Sequence, residues 1–307
     1  MRVAFCGDLH YSSSRPRARQ DEYQASLLKK LDSVYQENDV VIFLGDMFSA
    51  PTVSSEYYRH IFQRFMKTQV ARGKKTFSIL GNHEIIGYNT EMYHEKTFIG
   101  TLEMNGYLKV IHEHIIINGW KIDVIPLKSH PVLPFPTQAN SILLGHCGFE
   151  HPRDLDLSIH TEEILQTGYD FLILGHDHEA YPTLNIGKTV MIRPGSLARN
   201  AAFPYNLRRM PQYVQFVFDH EKLKGYKLIP VVGALDPREV FCPEAFKDPE
   251  SYTEVYFAEL EKIIVEFGKK IYSSKLSLRK FLQDLECPEP VILYIESHYK
   301  NLGLRFS

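Results

Sequence analysis

The chain reads as an α/β protein: a four-layer αββα sandwich of two mixed sheets with a small C-terminal helical region. Three observations predict it. Five short apolar runs each end in Gly and then at once in a metal-ligand type of residue. Between the early runs lie amphipathic stretches of helical period. The later runs are joined by hairpin turn signals instead. Strands alternating with helices first, and hairpins afterwards, imply two sheets packed face to face with helices outside.

Taken in order, Val3 to Cys6 runs into Gly7-Asp8-Leu9-His10, and 11–20 is a polar, Arg-rich loop. Residues 21–36 read as a helix, with Leu27, Leu28, Leu31, Val34 and Tyr35 as its apolar stripe. Val40 to Leu44 runs into Gly45-Asp46. Ser54 or Ser55 is positioned to cap the next helix, whose Tyr58, Ile61, Phe62, Phe65, Met66 and Val70 form a core stripe and whose stop is Gly73. Phe77 to Leu80 runs into Gly81-Asn82-His83-Glu84, and a helix follows over 90–104. Glu113 to Ile117 and Trp120 to Ile125 then flank Asn118-Gly119, a two-residue hairpin signal. His112 and His114 belong to this hairpin and read as surface residues. Ser141 to Leu144 runs into Gly145-His146, Thr161 to Gln166 is a short capped helix ending at Gly168, and Phe171 to Leu174 runs into Gly175-His176-Asp177-His178. Two more hairpins are expected, one around 185–188 and one joining Tyr213–Phe218 to Tyr226–Val231. Residues 1–232 thus form one domain, and 233–250, with Pro237, Pro243 and Pro249, a linker. The region 251–307 is helical, with Tyr256, Leu260, Ile263, Ile264, Phe267 and Ile271 as a stripe. It is either a cap on the sandwich or a partner-binding surface.

The strand ends carry the chemistry. In an open α/β sheet, groups that follow the carboxyl ends of strands converge on a crevice. One His after a buried strand is usually structural, but the pattern recurs throughout this chain. Asp8 and His10 lie two apart, as do His176 and His178, so in extended backbone each pair projects to one side. Asp8, His10, Asp46, Asn82, His146, His176 and His178 are the candidate ligands. A single Zn is usually satisfied by about four protein groups, so a set this large implies two cations with one bridging carboxylate. Oxygen and imidazole donors without thiolate suit Mn, Fe or Zn rather than a sulfur-rich structural site. Two cations about 3.5–4 Å apart clamp in-line attack at phosphorus. His83, next to the ligand Asn82, is placed to face the leaving oxygen as general acid or charge stabiliser; the alternatives are a further ligand or a hydrogen-bond donor behind the ligands.

The ordered blocks Asp8-x-His10, Gly45-Asp46, Gly81-Asn82-His83-Glu84, Gly145-His146 and Gly175-His176-Asp177-His178 resemble the calcineurin-like metallophosphoesterase family over roughly residues 1–232. The resemblance implies the same four-layer sandwich. It implies that Asp8, His10, Asp46 and His178 hold one cation and Asp46, Asn82, His146 and His176 the other, with Asp46 as the bridge. Mn is the expected metal, with Fe and Zn as alternatives. The family usually has Asp where this chain has Glu84; that acid orients the catalytic His, so Glu84 is grouped with His83 as the catalytic pair and its longer side chain changes the dyad. Arg193-Pro194-Gly195-Ser196, Gly145-His146-Cys147-Gly148-Phe149 and the C-terminal helical region are similar to SbcD-type DNA-repair nucleases and their bacteriophage recombination relatives. Those act with an SbcC-type ATPase that grips the nuclease's C-terminal helices. The chain is short for that group.

Composition sets the outer bounds. With 307 residues, 44% hydrophobic and 23% charged, the chain can fill a core without disulfides. Cys6, Cys147, Cys242 and Cys287 are scattered and read as reduced thiols of a cytoplasmic protein. The start runs directly into a strand with no leader-like segment, and no apolar run reaches the roughly 20 residues of a membrane span. A net charge of −2 excludes a generic polyanion binder. Acid-free stretches nevertheless carry Arg15 and Arg17, and then Arg193, Arg199, Arg208 and Arg209. These either rim the active site and hold a phosphate backbone or are ordinary solvated loops. The reading is a metal-dependent phosphodiester hydrolase, a DNA exo- or endonuclease of repair or recombination, whose partners are DNA, an SbcC-type ATPase and a second copy of the chain. The alternatives are a phosphatase or nucleotide phosphodiesterase of small substrates, and an interaction subunit on an inactive scaffold, which the complete ligand set opposes.

Overall fold

In β1 (Arg2–Cys6), Val3 and Phe5 point one way and Ala4 and Cys6 the other, all fully buried. A strand apolar on both faces needs a layer on each side, and the computed structural model supplies both. It describes residues 1–16, 18–86, 90, 92–128, 131–150 and 157–247. After β1 come β2 (Val40–Phe43), β3 (Lys75–Ser78) and the short β4 (Lys109–Val110), all in parallel. The second sheet holds β5 (His114–Ile117), β6 (Trp120–Val124) and β7 (Ser141–His146). A small pair, β8 (Gly148–Phe149) and β9 (Ser158–Ile159), follows, then β10 (Phe171–Gly175), β11 (Tyr181–Ile186) and β12 (Thr189–Arg193). The chain returns to the first sheet with β13 (Gln212–Asp219) and β14 (Lys222–Pro230).

The strand orders are β14-β13-β1-β2-β3-β4 and β11-β12-β10-β7-β6-β5. Antiparallel hairpins form both edges of the second sheet and one edge of the first, whose other edge is the parallel β4, in keeping with the change from helical to hairpin connections. The Asn118-Gly119 turn joins β5 to β6, and both residues take the left-handed conformation that such a turn requires. His112 and His114 are exposed, as expected.

Alternation along the strands builds three apolar layers. Val3, Phe5, Ile42 and Leu44 of the first sheet meet Ile142, Leu144, Phe171 and Ile173 of the second in one buried cluster. On the outer face of the first sheet, Ala4, Cys6, Val41 and Phe43 pack with Leu27, Leu31 and Val34 of α1 (Tyr23–Glu37) and Phe62 and Met66 of α2 (Glu56–Ala71). Outside the second sheet, Leu143, Leu172 and Leu174 gather around Ile164, which belongs to α5 below. Each fully buried side chain of this size contributes about 1.5–3 kcal/mol relative to exposure.

Two local expectations change. Ser55 stands at the N-cap of α2 but makes no capping bond, while Ser54 Oγ lies 2.5 Å from Ser13 Oγ. The helix expected over 90–104 is two pieces, α3 (Tyr93–Lys96) and α4 (Phe98–Met104), because Thr97 leaves the helical region and caps the second by accepting from Gly100 N–H. α5 (Thr161–Thr167) ends at Gly168 in the left-handed conformation, as anticipated. Met1–Arg15, Glu22–Arg199 and Met210–Leu235 form one compact unit that carries both sheets. Pro16–Asp21, Asn200–Arg209 and the chain from Asp236 onward form a second. In the second unit the stretch expected as a linker starts with α6 (Pro237–Val240), capped by Asp236, and α7 (Glu244–Lys247), with Val240, Phe241 and Ala245 buried. The helices expected over 251–307, and Arg17, lie outside the described residues.

Candidate metal centre

Parallel pairing levels the strand ends. Cys6 is opposite Phe43, Phe43 opposite Ser78, and His146 opposite Gly175, so the loops that follow leave each sheet side by side. The first ligand turn is held mainly by backbone. Asp46 carbonyl accepts from Leu9 and His10 N–H, both at 2.9 Å. His10 carbonyl accepts from Tyr23 Oη at 2.8 Å and Ser49 Oγ at 3.0 Å. The spacing argument assumed extended backbone for both His-bearing turns, and this is corrected. His10 has φ +48° and His176 φ +79°, left-handed values that a side chain adopts only under local constraint. The ligands converge because the turns curl. Glycine is required where the backbones then touch: a Cβ on Gly81 would overlap the Asp46 carboxylate, and one on Gly7 the carbonyl of Gly195.

Three triads place ligand-type atoms within 4.8 Å of one another: Asp8, His10 and His178; His10, Asp46 and His83; and Asp8, Asp46 and His146. Asp46 Oδ2 lies 3.3 Å from His146 Nε2, 3.7 Å from His10 Nε2 and 3.8 Å from His83 Nε2. His10 and His178 meet Nε2 to Nε2 at 2.9 Å. His146 directs Nδ1 at the Leu44 carbonyl, 2.8 Å away, which leaves Nε2 facing Asn82 Oδ1 at 2.9 Å. The Asn82 Nδ2 beside it is buried without a hydrogen-bond partner. The His176 ring stands edge-on to that of His146, centroids 5.1 Å apart. Lone-pair atoms brought face to face in a buried pocket are a donor set for cations, so the residues fit divalent metal.

The charges say the same. Burial pushes Asp8 up to about 7, and nearby Asp46 adds to the rise against the lowering by His146. Burial would also raise Asp46, but His146 and His83 outweigh it and hold that carboxyl well below its usual range. Burial would lower His146, yet Asp46 and Asp8 drive it up to about 10. For His176, burial and then His146 push the imidazole down to about 3. The pocket therefore draws positive charge to the space between Asp46, Asp8 and His146.

His83 stands beside the cluster, its Nε2 3.8 Å from Asp46 Oδ2. Its backbone N–H donates to Asp46 Oδ1 at 3.0 Å and its Nδ1 lies 2.7 Å from the Ser49 carbonyl, so Nδ1 carries a proton and Nε2 faces the pocket. Glu84 does not take the part expected beside it. Its carboxylate accepts from Gly81 N–H at 2.7 Å, Asp46 N–H at 2.9 Å and Phe48 N–H at 3.1 Å. The extra methylene lets one buried side chain join two ligand loops, and the carbonyl of Ser49 orients His83.

The arginines divide. Arg15 is exposed on the loop after the first ligand turn. Arg193 is buried, paired to Asp177 at 3.3 Å, and Arg199 is fully buried, with Nη2 donating to the Leu235 carbonyl at 2.6 Å. Neither belongs to a solvent-facing rim, because each charge is spent on an interior acceptor. In the second unit Arg208 is exposed, while half-buried Arg209 donates to Asn206 Oδ1 and lies 5.9 Å from the Tyr205 ring centre. Sequence reasoning missed Tyr23, Ser49 and Lys30, whose buried Nζ donates to the Leu197 carbonyl in the turn after β12. Only the Lys in an apolar helix face gave a signal.

Comparison with known proteins places this geometry. No curated protein matches the chain. Among solved structures, TT1561 of Thermus thermophilus is similar at 9% identity and TM-score 0.43, covering 74% of this chain and 98% of that one. Nuclease MPE of Pseudomonas putida is similar at 14% identity and TM-score 0.34, covering 70% and 84%. Residues 1–180, more than half of the chain and inclusive of every ligand turn, match the family model described as calcineurin-like phosphoesterase. The chain belongs to that family, and is a metallophosphoesterase whose clustered His and Asp side chains could bind the divalent metals the family uses.

Proposed function

We propose that the chain is a two-metal phosphodiester hydrolase acting on DNA, in which Asp46 would be shared by the two cation sites. The observation that carries the hydrolytic reading is the place of the Asp46 carboxylate, within 4 Å of imidazole nitrogens from three different loops. Asp8, His10 and His178 complete one ligand set, and Asn82, His146 and His176 the other. When bound, the two cations supply Lewis acidity to the phosphoryl group and lower the pKa of the attacking water. Asp46 offers negative charge to both sides of the pocket. The Ser49 carbonyl keeps the His83 proton on Nδ1, so that Nε2, once protonated, can deliver a proton to the leaving oxygen.

DNA as substrate rests on the exposed Arg15 beside the first ligand turn, the exposed Arg208, and the likeness of the Arg193–Ser196 block to SbcD-type nucleases. In this reading Mn is the working metal and an SbcC-type ATPase engages the C-terminal region, 251–307. Burial of Arg193 and Arg199 favours a second reading, a phosphatase or nucleotide phosphodiesterase with a smaller basic rim. The test is cleavage of end-labelled single- and double-stranded DNA with Mn, alongside bis-p-nitrophenyl phosphate and a nucleotide panel, with Asp46→Ala as blank. DNA cleavage that vanishes in the blank and falls steeply with salt is expected. Turnover confined to small esters overturns the DNA reading and keeps the hydrolase.

A further inference from the structure

Arg193 ends β12, next to β10, the strand that delivers His176 and His178. Its guanidinium stacks on the Tyr181 ring at 3.9 Å, with the Phe149 ring centre 5.1 Å away. Nη1 donates to Asp177 Oδ2 at 3.3 Å, and both side chains are about nine-tenths buried. Two aromatic rings and a carboxylate thus confine one planar cation, an arrangement that Lys cannot reproduce.

Asp177 is the residue between the two imidazoles. The backbone around it is constrained on either side. His176 N–H donates to both Asp8 carboxylate oxygens at 3.2 Å, and His178 carbonyl accepts from Ser196 N–H at 3.0 Å. Gly195 lies so close to His178 and Ala180 backbone that a Cβ there would overlap both. One segment, 193–196, therefore grips the turn by a side chain at Asp177 and by backbone at His178.

We infer that Arg193 is a positioning residue that sets the aim of His176 and His178 by clamping Asp177 against the Tyr181 ring. It acts through the turn and touches no reacting atom. The inference rests on the two-metal reading above, in which both imidazoles are ligands. Partners that orient ligating residues typically change metal affinity by roughly 10- to 100-fold when removed.

The experiment is Mn titration of the metal-free full chain by calorimetry, with bound metal counted by elemental analysis. Arg193→Gln, Asp177→Asn, the double variant and Arg193→Lys are compared with the parent, and each metal-free form is melted in EDTA. Expected is a roughly tenfold or greater loss of Mn affinity in each single variant, with the double no worse than Arg193→Gln. Arg193→Lys should recover the metal-free melting temperature but not the affinity, since it restores charge without the fork. Affinity within twofold of the parent in Arg193→Gln, or affinity losses that simply add in the double, would overturn the inference. If the Gln form fails to fold, full Mn affinity in Arg193→Lys does the same. A parent that binds no Mn or other divalent cation overturns the two-metal reading itself, a result distinct from a parent that binds and a variant that is unaffected.

Discussion

The two candidate ligand turns look alike in sequence and differ in which groups hold them. Asp8-Leu9-His10 is secured by main chain at its amides, where the Asp46 carbonyl takes two N–H groups, and by the Tyr23 and Ser49 hydroxyls at the His10 carbonyl. His176-Asp177-His178 is secured by two charged side chains, Asp8 on one amide and Arg193 on the middle carboxylate, and by Ser196 N–H on the His178 carbonyl. The left-handed residue is the last of the first turn and the first of the second. An identical spacing of two ligands therefore does not imply one local structure. Each turn also takes a bond from the other sheet: the Asp8 carbonyl accepts from Leu197 and Ala198 N–H in the loop after β12, and the Asp8 carboxylate accepts from His176 N–H.

His83 belongs to neither turn, so His83→Ala should lower turnover by on the order of 10²–10⁴-fold while elemental analysis still finds two metals per chain. Loss of a cation would make His83 a ligand and enlarge the first set.

The next effect depends on pH. In the metal-free protein burial pushes Asp8 and Glu84 each up to about 7. A carboxyl whose folded pKa exceeds its unfolded value, about 4, costs stability as pH rises past that value, and the cost levels off above the folded pKa. Cation binding requires ionised Asp8, so the rise in Tm on adding Mn should be larger at about pH 8 than at about pH 5.5. Equal rises would take Asp8 out of the ligand set.

The smallest effect sharpens the contrast. Tyr23→Phe removes one of the two donors on the His10 carbonyl and should cost about 0.5–1.5 kcal/mol by denaturant melting, because Ser49 still satisfies the oxygen. A collapse of metal binding in that variant would mean the first turn is as dependent on a side chain as the second.

Much of this was legible in sequence because it rests on short-range rules. An apolar run, Gly and a polar residue predicts a buried strand that stops at an edge, and each such run became a strand whose loop joins the cluster. Asn118-Gly119 and Gly168 announced their turns through the conformations only such residues take easily. Contacts across the fold were not legible. A cation after a strand reveals its charge but not whether it faces solvent, so Arg193 and Arg199 read as a basic rim and are instead interior. Glu84 read as the partner of His83, since sequence adjacency says nothing of three amides on neighbouring loops. The carbonyls of Leu44 and Ser49 orient two imidazoles, and a main-chain oxygen leaves no trace in residue type.

The meeting of His10 with His178 spans 168 residues, and that of His146 with Asn82 spans 64. Loop closure on this scale is an entropic cost that docking of the two sheets must meet before the donors can face each other. In folding terms, then, the centre cannot nucleate the chain as a zinc finger's metal does. A cation that binds only the folded centre would add stability by mass action to a scaffold already assembled. Its occupancy would then report whether the two sheets are docked.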